Sequence, residues 1–164
     1  MKRIGLLSDT HNFLDENIFR HFEQCHEIWH AGDFGTIEIA EKIKAFRPLR
    51  GVYGNIDGQD VRSVYPEKLR WTCEGVEVFM THIGGSPPKY NAAVRQELIA
   101  LPPQLFICGH SHILKILYDE KLQFLFMNPG AAGSQGWHKI RTLIRFTISG
   151  KEMKDCEVIE LGKK

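Results

Sequence analysis

Short apolar runs and amphipathic stretches alternate through the first third of the chain. Arg3-Ile4-Gly5-Leu6-Leu7-Ser8 is the first apolar run and predicts a buried strand. Leu14, Ile18, Phe19 and Phe22 then recur at helical spacing, which predicts an amphipathic helix over about residues 13–24. A second apolar run, Ile28-Trp29-His30-Ala31, stops at Gly32-Asp33, as a strand does when it delivers a carboxylate to the rim of a sheet. Thr36 is placed to cap a second helix with Ile39, Ala40, Ile43 and Phe46 on its apolar face, and Pro48 ends it. Leu49 to Tyr53 reads as a third strand, leading into Gly54-Asn55-Ile56-Asp57. Strand–helix–strand–helix–strand order implies parallel pairing with right-handed crossovers.

The pattern then changes. Leu69 to Cys73 and Val76 to Thr81 flank Glu74-Gly75, a two-residue hairpin signal, and Val76, Val78 and Met80 alternate on one face. That strand ends in His82. After the break at Pro87-Pro88, a third helix is predicted from about Tyr90 to Ala100, closed by Pro102-Pro103. Leu105 to Cys108 is a short strand delivering Gly109-His110-Ser111-His112. Ile113 to Tyr118 pairs with Leu122 to Met127, Asn128-Pro129-Gly130 is a turn, and Thr142 to Ile148 pairs with a last strand near Cys156 to Ile159. No repeat or linker interrupts this order, and Gly130 to Gly136 reads as a loop, so residues 1–164 are expected to form one α/β domain.

Composition narrows the function classes. Lys plus Arg is 21 against 20 for Asp plus Glu, a formal charge of +1, which gives no support for a nucleic-acid groove or an anionic membrane surface. No apolar run is long enough to span a bilayer, and the N-terminus enters a strand pattern without a signal peptide. Cys25, Cys73, Cys108 and Cys156 form no Cys-x-x-Cys pair and read as reduced residues of a cytoplasmic protein.

The candidate chemistry lies at the strand ends: Asp9, His11, Asp33, Asn55, His82, His110 and His112. Taken singly, these are turn or core residues as readily as ligands. Together they are two carboxylates, four imidazoles and one amide with no thiolate, a set suited to Mn, Fe, Co, Ni or Zn. Seven ligands exceed what one tetrahedral ion needs. They suffice for two ions sharing a carboxylate, with positions left for water and substrate. His21 and His26 read as helix-surface or helix-end residues. His30 is expected to line the site or the core, and His138, beside Trp137 and Lys139, to be a surface residue within reach of substrate.

Asp9-Thr10-His11, Gly32-Asp33, Gly54-Asn55-Ile56-Asp57, Thr81-His82 and Gly109-His110-Ser111-His112, extended by Asn128-Pro129-Gly130, resemble the motifs of the calcineurin-like metallophosphoesterases. Length and strand order look most like the small bacterial and archaeal phosphodiesterase branch. The resemblance implies a four-layer αββα sandwich with two mixed β-sheets. It implies two divalent ions, Mn2+ favoured over Zn2+, Fe2+, Ni2+ or Co2+. Asp9, His11 and His112 would hold one, Asn55, His82 and His110 the other, and Asp33 would bridge them. A metal-bridging hydroxide would attack a small phosphoester, most simply a phosphodiester, while the Asn55 amide reaches the phosphate. Many members carry a histidine directly after the metal-binding asparagine, where this chain has Ile56. Many also have Gly-His after the ligand histidine, where this chain has Ile83-Gly84. Asp57 is the alternative helper of the leaving group, against a turn-stabilising role. Two other readings stay open on the same fold: a protein-binding scaffold like a retromer subunit, and a nuclease, which the small basic surplus disfavours. A homo-oligomer is left open.

Overall fold

The computed structural model describes residues 1–164. Along the chain come β1 (Lys2–Leu7), α1 (Asn17–His21), β2 (Glu27–His30), α2 (Ile37–Phe46), β3 (Leu49–Gly51) and α3 (Gln59–Arg62). The hairpin β4 (Lys68–Cys73) and β5 (Val76–Thr81) follows, then a small ribbon of β6 (Gly85–Ser86) and β7 (Lys89–Tyr90), and α4 (Ala92–Ala100). The chain ends with β8 (Leu105–Ile107), β9 (Lys115–Asp119), β10 (Phe124–Asn128), β11 (Ile140–Ser149) and β12 (Glu152–Lys163).

Two five-stranded sheets form, ordered β12-β11-β1-β2-β3 and β4-β5-β8-β10-β9. Both are mixed: β1, β2 and β3 run parallel while β11 joins β1 antiparallel, and β5, β8 and β10 run parallel while β4 and β9 close the edges antiparallel. Ile4, Leu6 and Trp29 of the first sheet meet Val76, Val78, Met80, Leu105 and Ile107 of the second in a shared core. On the outer face of the first sheet, Leu7 and Ile28 pack with Ile18 of α1 and Ile39, Ala40 and Ile43 of α2. On the outer face of the second, Phe79, Phe106 and Phe126 pack with Val94 and Leu98 of α4. The molecule is thus a four-layer αββα sandwich. Because both faces of the second sheet are covered, β5 buries Phe79 as well as its alternating Val76, Val78 and Met80.

Several element bounds differ from the sequence expectation for local reasons. The helix expected over 13–24 contracts to Asn17–His21. Phe13 N–H is held in a turn to Thr10 O at 2.9 Å, the Asp15 carboxylate accepts Asn17 N–H at 2.9 Å, and Cys25 N–H turns back to Phe22 O at 3.0 Å. Tyr90 lies in β7, and α4 begins two residues later because Asn91 caps it, accepting Ala93 N–H at 2.9 Å. Thr36 precedes α2 but makes no side-chain cap bond; the Asp60 carboxylate accepts Ile37 N–H instead, at 2.9 Å. No helix is long and apolar enough to cross a membrane.

Candidate metal centre

The C-terminal ends of the parallel strands in both sheets converge on one rim, and β1, β2, β3, β5 and β8 between them deliver the candidate set. The loops are laced together by backbone bonds: Asp9 N–H to Gly32 O at 2.9 Å, His11 N–H to Asp33 O at 3.0 Å, and Gly109 N–H to His82 O at 3.0 Å. Asp9, His11, Asp33, His110 and His112 all sit at positive φ, between +44° and +70°. Two glycines are required by close approach. A Cβ on Gly32, itself at φ +102°, would lie 2.6 Å from His82 Nδ1, and one on Gly54 would lie 2.1 Å from Asp33 Oδ1.

Two triads result, Asp9 with His11 and His112, and Asp33 with His82 and His110, each with its ligand atoms close enough to hold one metal ion. Asn55 joins the second triad through Oδ1, 3.0 Å from His110 Nδ1. Asp33 faces both groups. Its Oδ1 accepts Ile56 N–H at 3.0 Å, while its Oδ2 lies 3.3 Å from His11 Nε2 and 3.1 Å from His82 Nε2. On the Asp9 carboxylate, Oδ2 accepts from Ser8 Oγ at 2.6 Å and His110 N–H at 3.1 Å, leaving Oδ1 toward His112 Nε2 at 3.1 Å. His82 Nδ1 donates to Ala31 O at 2.7 Å, which directs its Nε2 at the carboxylates.

The residues fit a pair of divalent cations. The Nε2 atoms of His11 and His82 are buried and make no directional hydrogen bond, although carboxylate oxygens stand beside them. Buried polar atoms are ordinarily paired, and imidazole nitrogens turned on carboxylates are what a cation site presents. Burial alone would raise the Asp9 and Asp33 carboxyls, but the facing histidines hold both well below the usual carboxylate range. The Asp33 and Asp9 carboxylates raise His11 to about 9 against the effect of burial. Burial, with His82 as a like-charged neighbour, lowers His110.

Other residues find support roles. Asp57 is buried and spends both oxygens on four amides: Oδ2 accepts from Asp33 at 3.0 Å, Phe34 at 3.2 Å and Gly54 at 2.8 Å, and Oδ1 from Gly35 at 2.9 Å. These four bonds brace the loops carrying Asp33 and Asn55. His30 is fully buried, accepts Gly32 N–H at 3.0 Å, contacts Thr10 Oγ1 at 3.1 Å and stacks on Phe34; burial pushes it down to about 3, so it stays neutral behind the site. His138 lies edge-on to His112 with ring centroids 5.2 Å apart, anchored by Nε2 to Gly133 O at 2.7 Å. Sequence reasoning also missed Lys89 and Lys115, which line a cavity beside His110. Single lysines in strand patterns carry no local signal.

A family model described as the calcineurin-like phosphoesterase superfamily domain matches residues 1–151. A probable metallophosphoesterase of Methanothermobacter thermautotrophicus is 26% identical over 164 residues, covering 97% of this chain and 92% of the relative. Among solved structures, an archaeal phosphodiesterase superposes with TM-score 0.76 at 20% identity, covering 97% of this chain and 99% of its own. Vps29 of Entamoeba histolytica, solved with Zn2+, superposes with TM-score 0.74 at 14% identity, covering 96% and 98%.

Proposed function

The chain belongs to the calcineurin-like phosphoesterase superfamily, and from that premise we propose that it is a phosphodiesterase working with two divalent ions, Mn2+ foremost. Its coarser class, a metal-binding hydrolase of phosphoric esters, comes with the family. The reading rests on one observation above all: Asp33 Oδ2 is approached by Nε2 of His11 at 3.3 Å and of His82 at 3.1 Å, one histidine from each triad. Asp9, His11 and His112 would hold one ion, Asn55, His82 and His110 the other, with Asp33 shared. Bound there, the ions supply Lewis acidity to water and to phosphoryl oxygens.

The chain's own residues do the rest. No hydroxyl is poised as a nucleophile: Ser8 Oγ donates to Asp9, and Ser111 Oγ accepts from Asn128 Nδ2 at 3.1 Å and from Ile113 N–H at 3.2 Å. Asn55 is exposed with Oδ1 toward His110, which leaves its NH2 to orient a phosphoryl oxygen. Ile56, 46% exposed, supplies no proton, so esters with acidic leaving groups should react fastest. The test is hydrolysis of bis-p-nitrophenyl phosphate by exhaustively dialysed protein with and without Mn2+, alongside metal content per chain. Metal-dependent turnover with about two ions per chain is expected. A second reading, a protein-binding scaffold, draws on exposed Ile116, Leu117 and Tyr118 of edge strand β9. Metal-independent inactivity toward every diester would favour it.

A further inference from the structure

Two cavities flank the candidate metal centre, and Ile83 and Asn91 stand between them, lining both. The first, about 340 Å³, lies against Tyr53, Asn55 and His82. Its cations are already engaged. Arg62 donates to the carbonyls of Asp57 at 2.6 Å and Asn55 at 3.4 Å, Lys68 reaches Glu97 at 3.3 Å, and Glu67 adds a carboxylate to the wall. The second, about 440 Å³, lies against His110 and is lined by Lys89 and Lys115 with no acidic side chain. Lys115 is half-buried and bonds only the Ser86 hydroxyl, at 3.2 Å. Lys89 has no ion-pair partner, and it opposes Ser86 across the β6–β7 ribbon, which puts both side chains on one face. Exposed Lys89 and half-buried Lys115 thus line one cavity without a carboxylate to compensate them, in a chain whose formal charge is only +1.

We propose that this cavity is the subsite for a second phosphate, so that the substrate is a phosphodiester one arm of which ends in a phosphate. This rests on the phosphodiesterase reading. Charge matching selects the group: a terminal phosphate carries roughly −1.5 to −2 near neutral pH, which two lysines balance, whereas a carboxylate carries half as much. The volume suits a small organic arm. Ile83, Tyr90 and Ile113 line the same cavity and give that arm an apolar wall.

The test compares thymidine 5'-(p-nitrophenyl phosphate) with the same ester bearing a 3'-phosphate, on the Mn2+-loaded protein. The phosphorylated ester should have a kcat/KM about tenfold higher, mostly through KM, as two partly solvated ion pairs can supply. Lys89→Gln and Lys115→Gln should each cut that ratio about threefold, the double variant should bring it close to one, and Lys115→Arg should keep it. A wild-type ratio near one, or a ratio untouched in the double variant, overturns the proposal. Calorimetric binding of thymidine 3',5'-bisphosphate against thymidine 5'-monophosphate separates the two readings. If no diester is cleaved yet the bisphosphate binds more tightly and loses that advantage in the double variant, the subsite stands and the phosphodiesterase reading falls. Equal binding of the two nucleotides removes the subsite.

Discussion

Asp57→Asn separates bracing from proton donation, because the change is nearly isosteric. With its carbonyl at the Oδ2 position, asparagine can still accept from Asp33, Phe34 and Gly54, but its NH2 then faces Gly35 N–H, which Oδ1 now receives at 2.9 Å. Hydrogen bonds to a charged group contribute about 1.5–3 kcal/mol and neutral ones about 0.5–1.5, and an orphaned buried donor costs about 1–3. Three weakened bonds and one lost bond come to roughly 4–7 kcal/mol, a large share of ordinary domain stability. For a chain of this size the melting temperature should fall by at least about 10 °C. The assay pairs thermal unfolding followed by circular dichroism with kcat/KM across substituted aryl diesters. A brace predicts lower melting and slower turnover of every ester by a similar factor, with the dependence on leaving-group acidity unchanged. Unchanged melting together with a steeper dependence would refute the reasoning and make Asp57 the proton donor.

Asp33→Asn should leave less than one ion per chain after dialysis and abolish turnover; two tightly held ions in an active variant would show that Asp33 is not shared. Gly54→Ala places a methyl 2.1 Å from Asp33 Oδ1 and 2.4 Å from Asp33 N, so activity should drop at least about tenfold with weaker metal retention; wild-type kinetics would mean the loop yields freely. Glu27 is buried, and burial alone would raise its carboxyl, but Trp29 at 2.8 Å, Lys2 at 2.9 Å and Arg50 at 3.3 Å hold it below the ordinary value. A depressed folded value contributes stability above the unfolded value near 4.5 that is lost as pH falls through the folded one. The melting gap between wild type and Glu27→Gln should therefore narrow from pH 7 to pH 3, and a gap indifferent to pH would contradict this.

Much of this architecture was legible because apolar runs that stop in Asp, Asn or His mark where strands hand over to a rim. The β4–β5 hairpin is visible at Glu74-Gly75 through local turn chemistry. What escaped is set by contacts distant in sequence. Leu14 and Phe22 share helical spacing with Ile18, but Asp15 and Thr10 capture the flanking amides and shorten α1. Asp57 looks like a turn residue and is one, yet three of its four partners lie 22–24 positions away. Lys115 and Lys89 meet only because β9 folds back beside the β6–β7 ribbon.

The left-handed backbone at the site carries a thermodynamic consequence. Five of the seven candidate ligands hold a conformation that costs an L-residue roughly 1–2 kcal/mol each, less for Asp than for most. Each persists because the surrounding loops leave no alternative. The strain is offset by bonds these same side chains make, such as Ser8 Oγ to Asp9 and Ile56 N–H to Asp33. A glycine at any of these five positions would shed that backbone cost and, with it, one candidate ligand, so local strain and ligand count trade directly against each other.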